Sequence, residues 1–438
     1  MTRKMKDSGI EWIGEIPEDW ETIKLKLIVN TIKGYAFKSE MFSSDGIPVV
    51  KASDLKKQSV VKSGVYITEE VVSNYLSFKL STNDILMTTV GSTPNIINSV
   101  VGQLALVPKE LNGSLLNQNV VKLIPIEKVE NLFMYYYLST HSFRKYLDLI
   151  AHGTANQASL ALKDILDYSI TFPDYNEQFK IINFLDNKCS KIDETIQKEK
   201  QVIEKLKQYK QSVITEAVTK GLDPDVKMKD SGVEWIGEIP EHWEVKKLKY
   251  CIECNKNTLS EHTPYEFNIK YIDIGSVTNE EGIREVQTFN FINAPSRARR
   301  IVKKNDTIIS TVRTYLKAIS YISDEYDNFI CSTGFAVCTP LECFIGKYMF
   351  YSLHSDWFVS TVESISTGIS YPAINTSSLV NLMGLIPPLE EQEQIASYLD
   401  KKCASIDKAI SNKEKLIEKL TEYKKSLIYE CVTGKREV

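Results

Sequence analysis

The sequence of 438 residues contains no apolar run of about 18 residues, the minimum for a transmembrane helix. Its first residues, M-T-R-K-M-K-D-S-G-I-E-W, also lack the apolar segment of a secretory signal. The composition has neither a disordered nor a collagen-like bias. We therefore expect a cytoplasmic protein that does not enter a membrane and that folds into more than one globular domain.

The sequence lacks the short motifs of common catalytic and nucleotide-binding sites. It has no G-x-x-x-x-G-K-[ST] loop, no G-x-G-x-x-G after a strand, no H-E-x-x-H, no G-x-S-x-G and no N-P-P-[YF] adenine-binding loop. The histidines are scattered, and each is expected on the surface or in a core: His141, His152, His242, His262 and His354. We therefore predict a chain that binds rather than catalyses, with no catalytic residue.

Cysteine usage gives little support for a metal site. Cys251 and Cys254 form a C-x-x-C, but no second pair follows at zinc-ribbon spacing among the cysteines further along, which are Cys331, Cys338 and Cys343. We therefore predict no metal site.

One long stretch occurs twice. Residues 178–221 return as 392–434, with Gln178 corresponding to Gln392 at an offset of 214 residues. Both copies space apolar residues alternately three and four apart, as a coiled-coil seam requires. The predicted seam comprises Leu185, Ile192, Ile196, Ile203 and Leu206 in the first copy, and Leu399, Ile406, Ile410, Ile417 and Leu420 in the second.

Polar residues interrupt both seams at the same two steps, Glu199 with Lys413 and Lys210 with Lys424. No proline or glycine lies between positions 178 and 220, so a helix of about 40 residues, roughly 60 Å long, is expected. We predict that the two helices pair antiparallel and that the polar interruptions set their register. The alternative is that each helix packs on its own globular domain.

A second repeat precedes each helix. Residues 6–20, K-D-S-G-I-E-W-I-G-E-I-P-E-D-W, recur as 229–243 with two substitutions. Between repeat and helix lie the variable blocks 21–172 and 244–386, which share faint landmarks, 83–90 with 305–312 and 153–158 with 368–373.

Each variable block is expected to be a mixed α and β domain. β-branched and aromatic runs predict strands at 47–50, 100–107, 120–124, 271–274 and 318–322, and helices at 131–150 and 345–360. Because the blocks occupy equivalent places in the repeat, we expect one fold with divergent surfaces. A duplicated molecule of this kind suits a duplex, whose backbone has local two-fold symmetry, and predicts an asymmetric, two-part target.

The charge distribution is uneven. The net charge is −4, which argues against a protein that is basic overall. Two local stretches are nevertheless basic, 24–62 and 284–317, and the second contains R-A-R-R at 297–300. Such clusters favour contact with nucleic acid, although a solvated surface is the ordinary alternative.

These repeats, and the P-P-L-E-E-Q at 387–392 that opens the second helix, closely resemble the specificity subunits of type I restriction-modification enzymes. The resemblance spans essentially the whole chain. The first copy, P-D-Y-N-E-Q at 173–178, departs from it mildly, because Tyr175 stands where the second copy has Leu389.

The resemblance implies an α+β architecture. Two mixed α/β target recognition domains would be joined by two long helices that form an antiparallel coiled coil, with an internal pseudo-two-fold repeat. The implied bounds are 1–175 for the first domain with its repeat, 176–221 for the first helix, 222–388 for the second domain with its repeat and 389–438 for the second helix.

The resemblance also implies the partners. The two domains would each read one half of a bipartite site in double-stranded DNA, and the helices would space them and dock two methyltransferase (modification) subunits. Restriction subunits, which act as translocases, would join later. No cofactor is expected on this chain, and S-adenosylmethionine, ATP and Mg would belong to the partner subunits. The rival interpretation is a coiled-coil scaffold with weak or no DNA binding.

Amide and guanidinium side chains suit bidentate reading of base edges, so loops of the variable blocks that carry them are candidates for DNA contact. The candidates in the first block are Asn95, Asn117, Gln118, Asn119, Asn156 and Gln157. Those in the second are Arg297, Arg299, Arg300, Arg313 and Tyr315.

Overall fold

The structure is a computed structural model that describes residues 3–56, 59–61, 64–92, 101–154 and 157–438. It contains two compact units, one formed by Met1–Lys198 with Lys415–Val438 and the other by Glu199–Glu414. Because the division passes through both long helices, each unit combines one variable block with parts of both helices. The domain boundaries drawn from the sequence remain a prediction.

The first unit is built from short strands and helices. Its strands are β1 Met5–Asp7, β2 Glu15–Pro17, β3 Glu21–Lys24, β4 Val29–Lys33, β5 Ile47–Val50, β6 Leu55–Lys56, β7 Ser59–Val60, β8 Tyr66–Ile67, β9 Ile85–Thr88, β10 Val90–Gly91, β11 Leu104–Leu106, β12 Leu115–Leu116, β13 Val120–Pro125, β14 His152–Thr154, β15 Gln157–Ser159 and β16 Ser169–Phe172. Its α-helices are α1 Glu69–Val72, α2 Asn131–Leu138, α3 His141–Ile150, α4 Leu162–Leu166 and the start of α5, Tyr175–Lys220.

The second unit repeats this plan with fewer strands. Its strands are β17 Met228–Asp230, β18 Glu238–Pro240, β19 Glu244–Lys247, β20 Ile252–Cys254, β21 Asn268–Ile272, β22 Val277–Thr278, β23 Gly282–Ile283, β24 Gln287–Asn290, β25 Ala298–Ile301, β26 Thr307–Ser310, β27 Ile319–Tyr321, β28 Ile330–Ser332, β29 Phe335–Pro340 and β30 Met383–Ile386. Its α-helices are α6 Gly346–Leu353, α7 Asp356–Ile365, α8 Thr376–Val380 and the start of α9, Leu389–Val432.

The sheets of the two units have a common topology. The central sheet has the order β4-β13-β9-β11-β7-β6 in the first unit and β20-β29-β26-β27 in the second. In both, the four leading strands are antiparallel neighbours. A further sheet in each unit, with three strands in the first unit and four in the second, contains one parallel pair, β12 with β5 and β28 with β21. The predicted duplication of one mixed α and β fold is therefore confirmed.

The two helices predicted in the variable blocks are each divided in two. The predicted helix 131–150 separates into α2 and α3 at Thr140, and 345–360 separates into α6 and α7 at Ser355. Both residues have extended backbone angles, and each hydroxyl donates to the carbonyl three residues earlier. A Ser or Thr hydroxyl at this place competes with the helical backbone for hydrogen bonds. The prediction of one uninterrupted helix in each block was therefore wrong at this residue.

The long helices pair antiparallel within each unit. In the first unit Lys424 of α9 bonds Asp193 of α5 at 2.6 Å. In the second, Lys210 bonds Asp407 at 2.7 Å. Glu199, which lies before Lys210 in α5, bonds Lys413, which lies after Asp407 in α9, as an antiparallel pair requires. Six of the predicted seam residues are buried, Leu185, Ile192, Ile203, Leu399, Ile406 and Ile410, whereas Ile196, Leu206, Ile417 and Leu420 are half-buried.

Each long helix also packs on the mixed domain of its unit. In the first unit Leu185 of α5 and Leu427 of α9 share one core with Phe133 of α2. In the second unit Val218 of α5 and Leu399 of α9 share a core with α6 and α7. The two packing modes weighed from the sequence therefore coexist, because the apolar stripe is wide enough to face both partners.

A buried glutamine anchors the start of each long helix. Gln178 donates to the carbonyls of Lys128 and Pro173 at 2.9 and 3.1 Å and accepts the Glu130 N–H at 2.9 Å. Gln392 makes the equivalent set of bonds to Cys343, Pro387 and Ile345. Each amide thereby satisfies three backbone groups at the junction between helix and domain, where an unpaired buried group would be costly.

The short repeats 6–20 and 229–243 form matching hairpins, β1 with β2 and β17 with β18. Their second tryptophans, Trp20 and Trp243, are fully buried. Gly434, just after α9, has a φ of 72°, and a Cβ there would lie 2.3 Å from Pro17 Cδ. Only glycine therefore lets the end of α9 approach the first hairpin so closely.

Candidate nucleic-acid interface

Four loops of the second unit meet at one end of its central sheet. Backbone hydrogen bonds connect them in series: the Thr333 N–H donates to the Arg297 carbonyl at 2.8 Å, the Thr311 N–H to Gly334 at 2.8 Å and the Ile374 N–H to Thr311 at 2.9 Å. These bonds tie the segments before β25, before β29, after β26 and before α8 into one surface. We call this surface the loop cluster of the second unit.

The first unit contains two of these three connections, between equivalent loops. The Thr89 N–H donates to the Asn119 carbonyl at 3.0 Å, and the Leu160 N–H donates to Thr89 at 2.9 Å. Val90 pairs with Ser159, as Val312 pairs with Ala373 in the second unit. The faint sequence landmarks at 83–90 and 153–158 therefore belong to loops that meet in space. Each unit has its own loop cluster, with different side chains on a shared frame.

The loop 313–317 in the second unit has an unusual backbone. Arg313 and Lys317 flank a single 3-10 turn and both adopt left-handed angles, with φ of 52° and 50°. This conformation costs a residue other than glycine on the order of 1–3 kcal/mol. Tyr315 and Leu316, between them, are exposed. The loop therefore keeps two cations and two apolar side chains at the surface at some cost in backbone strain.

A tight hairpin, 367–373, lies directly beside this loop. Thr367 bridges Ala373, and the Thr314 N–H donates to the Pro372 carbonyl at 3.4 Å. Gly368 has a φ of 111°, and a Cβ there would lie 3.0 Å from the Tyr371 carbonyl oxygen. The Arg313 guanidinium lies 5.0 Å from the ring centre of Tyr371, within range of a cation–π contact.

The structure separates the arginines proposed from the sequence. Arg297 and Arg313 are exposed in the loop cluster. Arg300 is half-buried and bonds the Asn255 side chain and the Phe335 carbonyl of its own unit. Arg299 lies 4.9 Å from the ring centre of Phe291. Tyr315 is exposed in the loop cluster, so Arg297, Arg313 and Tyr315 face solvent together while Arg300 serves the fold.

The amide candidates of the first unit are only partly described. Asn95 and Asn156 lie outside the described residues. Gln118 and Gln157 are exposed, and Gln157 stands at the start of β15. Asn117 and Asn119 are half-buried, and their carbonyls accept from Val120 and Thr89. The turn 117–119 thus belongs to the first loop cluster, and contact of its amide side chains with DNA stays a prediction.

Several surface residues of the loop cluster escaped the sequence interpretation. These are Leu316, Ile369 and Tyr371, whereas Lys317 is the last cation of the basic stretch 284–317 identified in the sequence. Amide and guanidinium groups were the predicted base-reading side chains, whereas this surface also carries exposed apolar side chains. The one available signal was the recurrence of a glycine-led segment at 153–158 and 368–373.

Several thiols and one histidine of the second unit belong to the interior of its fold. Cys254 of β20 lies opposite Cys338 of β29, and burial raises the pKa of Cys331 to about 12. His354 is buried, and its Nε2 lies 3.2 Å from the Asn279 carbonyl. Within the described ranges, no three His, Cys, Asp or Glu side chains are grouped to hold a metal ion, and no helix has the length and apolar character to span a membrane.

Comparison with known proteins identifies the family. The model of the type I restriction modification DNA specificity domain matches residues 17–208 and 240–422. The chain is 26% identical over 435 residues to the putative type I restriction enzyme MjaX specificity subunit of Methanocaldococcus jannaschii, covering 97% of this chain and 96% of the relative. It is 21% identical over 438 residues to the EcoBI specificity subunit of Escherichia coli, covering 96% and 88%.

Solved structures agree on the fold. A chain from a structural study of complex assembly and conformational transition of the type I R-M system aligns with a TM-score of 0.71 at 16% identity, over 96% of this chain and 99% of that chain. The HsdS subunit from Thermoanaerobacter tengcongensis aligns with a TM-score of 0.50 at 15% identity, over 96% and 98%. Since two copies of the family model cover most of the sequence, the chain belongs to the type I restriction modification DNA specificity domain family.

Proposed function

We propose that this chain is the DNA specificity subunit of a type I restriction-modification complex. Each unit would read one half of an asymmetric, bipartite site in duplex DNA. The observation that carries this proposal is the recurrence of one loop cluster in both units on the same hydrogen-bonded frame with different side chains. A shared frame allows the same docking mode, while different side chains select different bases.

Recognition would divide between backbone and base contacts. Lysines and arginines around the loops would position the protein on phosphates, which carry no sequence information by themselves. Arg297 and Arg313 in the second unit, and Gln118 and Gln157 in the first, would hydrogen-bond base edges in the major groove. Asn95, Asn117, Asn119 and Asn156 of the first unit, and Arg299 of the second, remain candidates. Tyr315 would add an aromatic contact.

Chemistry would come from other subunits. Methyl transfer to a base needs an extruded base and a cofactor pocket, so it would fall to two modification subunits that bind S-adenosylmethionine. ATP and Mg would belong to the restriction subunits, and the complex would act in the cytoplasm. Exposed residues on the outer face of α5 are where modification subunits would dock: Lys191, Lys198, Lys205 and Gln208. The paired helices would also set the spacer between the half-sites.

Exchange of residues 244–386 for another recognition domain tests this proposal. Methylated adenines are mapped by sequencing after co-expression of the hybrid with the modification subunits. We expect one half-site to change while the other half-site and the spacer length stay the same. A change in both half-sites would contradict the modular assignment.

Two further measurements separate this function from its rivals. The purified chain with S-adenosylmethionine should transfer no methyl group to DNA, and methylation without added subunits would contradict the non-catalytic role. Binding of a duplex to the assembled complex should weaken steeply as salt increases, because cations released from phosphates drive association. A coiled-coil scaffold would bind the duplex weakly or not at all in this assay.

A further inference from the structure

The tip of the 367–373 hairpin presents an isoleucine entirely to solvent. Ile369 has a relative exposure of 103%, above that of every other large apolar side chain in the described part of the chain. Single exposed apolar residues are common on proteins and need no explanation alone. Here, however, Tyr315, Leu316 and Tyr371 are also exposed on the two adjoining loops. The tip is therefore an apolar surface, and Ile369 is its outermost side chain.

The surroundings of this tip favour a polyanion as its partner. Arg313 stacks on Tyr371 and, among the described residues, forms no ion pair. Lys317 lies 3.9 Å from Glu363, at the limit of an ion pair. Cations flanking an apolar tip complement a ligand with phosphates on both sides of an apolar feature. The major groove of duplex DNA offers this combination, because the C5-methyl group of thymine is its apolar feature.

The backbone geometry of the two loops indicates that the exposed position of Ile369 is fixed by the fold. Gly368 adopts a φ of 111°, and a Cβ at that position would crowd the Tyr371 carbonyl. The neighbouring loop holds Arg313 and Lys317 in left-handed conformations. Two hydrogen bonds between Thr367 and Ala373, each 2.9 Å long, close the base of the hairpin. Ile369 is thus carried on a narrow, closed loop that is small enough to enter a groove.

We propose that Ile369 contacts the C5-methyl group of a thymine in the half-site read by the second unit. This inference rests on the proposed function and adds one base and one side chain to it. The contact removes apolar surface of both partners from water and distinguishes thymine from cytosine, which lacks the methyl group. Arg313, beside it, supplies the hydrogen bonds that an isoleucine cannot make.

The test replaces thymine by uracil, which pairs identically but lacks the methyl group. The full chain is assembled with its modification subunits, and the site is first mapped from the methylated adenines. Duplexes then carry uracil in place of each thymine of the half-site, one at a time. For the wild-type complex we expect one uracil duplex to bind about fourfold more weakly, the effect of one buried methyl group. Ile369→Ala should bind the thymine and uracil duplexes equally.

Ile292→Ala is the matched control, because Ile292 is an exposed isoleucine of the same unit in the turn Phe291–Asn293. It should retain the wild-type preference for thymine, as should Ile369→Val, which keeps an apolar tip. The inference would be overturned if the wild-type complex bound the thymine duplex and every uracil duplex equally, or if the mapped half-site contained no thymine. It would also be overturned if Ile369→Ala kept the preference for thymine over uracil. A wild-type complex that does not prefer the mapped duplex to a scrambled one would instead overturn the proposed function itself.

Discussion

Glu199 and Lys413 occupy the same position in the two helix repeats, and they bond each other through Lys413 Nζ and Glu199 Oε2 at 2.6 Å. A residue meets its own repeat counterpart only at the midpoint of an antiparallel pair. A faithful repeat would place two identical charges there, whereas this chain places opposite ones. The interruption of the apolar seam is therefore an attractive contact rather than a defect.

Reversing one charge of this pair should destabilise the helix pairing. Lys413→Glu places two half-buried carboxylates together, and we expect a loss on the order of 1 kcal/mol in the free energy of unfolding. The exchange Glu199→Lys with Lys413→Glu should restore most of it. Denaturant unfolding of the full chain measures both, with Lys415→Glu as an exposed control in the same helix. A double exchange as unstable as the single change would show that the pair does not set register.

Removing the amide of Gln178 should weaken the junction between α5 and its domain. Gln178→Ala leaves the Lys128 and Pro173 carbonyls and the Glu130 N–H without this partner, and we expect a cost of roughly 2–4 kcal/mol. Gln208→Ala, on the exposed face of the same helix, should cost almost nothing. Thermal unfolding of the two variants compares them directly, and equal midpoints would argue against the anchoring role.

Stability of the second unit should depend on the protonation of His354. Burial lowers the pKa of His354, with Lys210 adding to this effect and Asp356 and the Asn279 carbonyl opposing it. The unfolded chain therefore binds a proton more readily, so stability is fully present above the ordinary histidine pKa of about 6.5 and declines as the pH falls below it. We expect the thermal midpoint to fall from pH 7.5 to pH 5.5.

His354→Asn should reduce this dependence on pH, although the variant is less stable at pH 7.5. His262→Asn, at an exposed histidine, is the control and should keep the wild-type profile. A His354→Asn profile parallel to that of wild type would assign the dependence to other groups.

Removal of the Arg300 side chain should reduce stability, whereas removal of the Arg313 side chain should reduce DNA affinity. Arg300→Ala removes bonds to Asn255 and Phe335 and should cost about 1–3 kcal/mol of stability. Arg313→Gly relieves a left-handed backbone and should be neutral or stabilising by about 1 kcal/mol, while DNA affinity of the assembled complex falls. Thermal unfolding and duplex binding together test the pair. If Arg300→Ala impaired only binding, the assignment of the two roles would be reversed.

Lengthening both helices should lengthen the spacer of the DNA site. The experiment inserts one heptad into each long helix, between Lys198 and Glu199 in α5 and between Glu414 and Lys415 in α9. These places lie outside the packed segment 213–218. Seven helical residues add about 10 Å, which corresponds to roughly three base pairs. Methylome sequencing should report half-sites unchanged and the spacer longer by that amount. Insertion into only one helix breaks the seam and should abolish binding, and an unchanged spacer after the paired insertion would exclude the helices as the ruler.

Much of the architecture could be predicted from repetition. The offset that aligns Leu185 with Leu399 also identified the seam, because buried positions of a helix pair recur with a fixed period. The strand at Ile47–Val50 was located to the residue. The division between α2 and α3 was not predicted. The hydroxyl of Thr140 competes locally for a backbone carbonyl, and the spacing of apolar residues carries no information about such a bond.

The loop cluster was less accessible to sequence reasoning. Arg300 and Arg313 have the same side chain, and only tertiary contacts distinguish the one that supports the fold. Ile369 was overlooked because an exposed isoleucine has no compositional signature. Surface roles depend on which loops meet, and this was decided by backbone bonds such as that between Thr311 and Gly334.

The way the chain is divided between its units has a consequence for biosynthesis. The second unit is one continuous segment, Glu199–Glu414, whereas the first combines Met1–Lys198 with Lys415–Val438. During synthesis the segment Met1–Lys198 leaves the ribosome first, but the core of the first unit is complete only after Leu427 and Cys431 have been added. The second unit therefore completes before the first, and the earlier-made domain exposes an unfilled apolar surface throughout that interval.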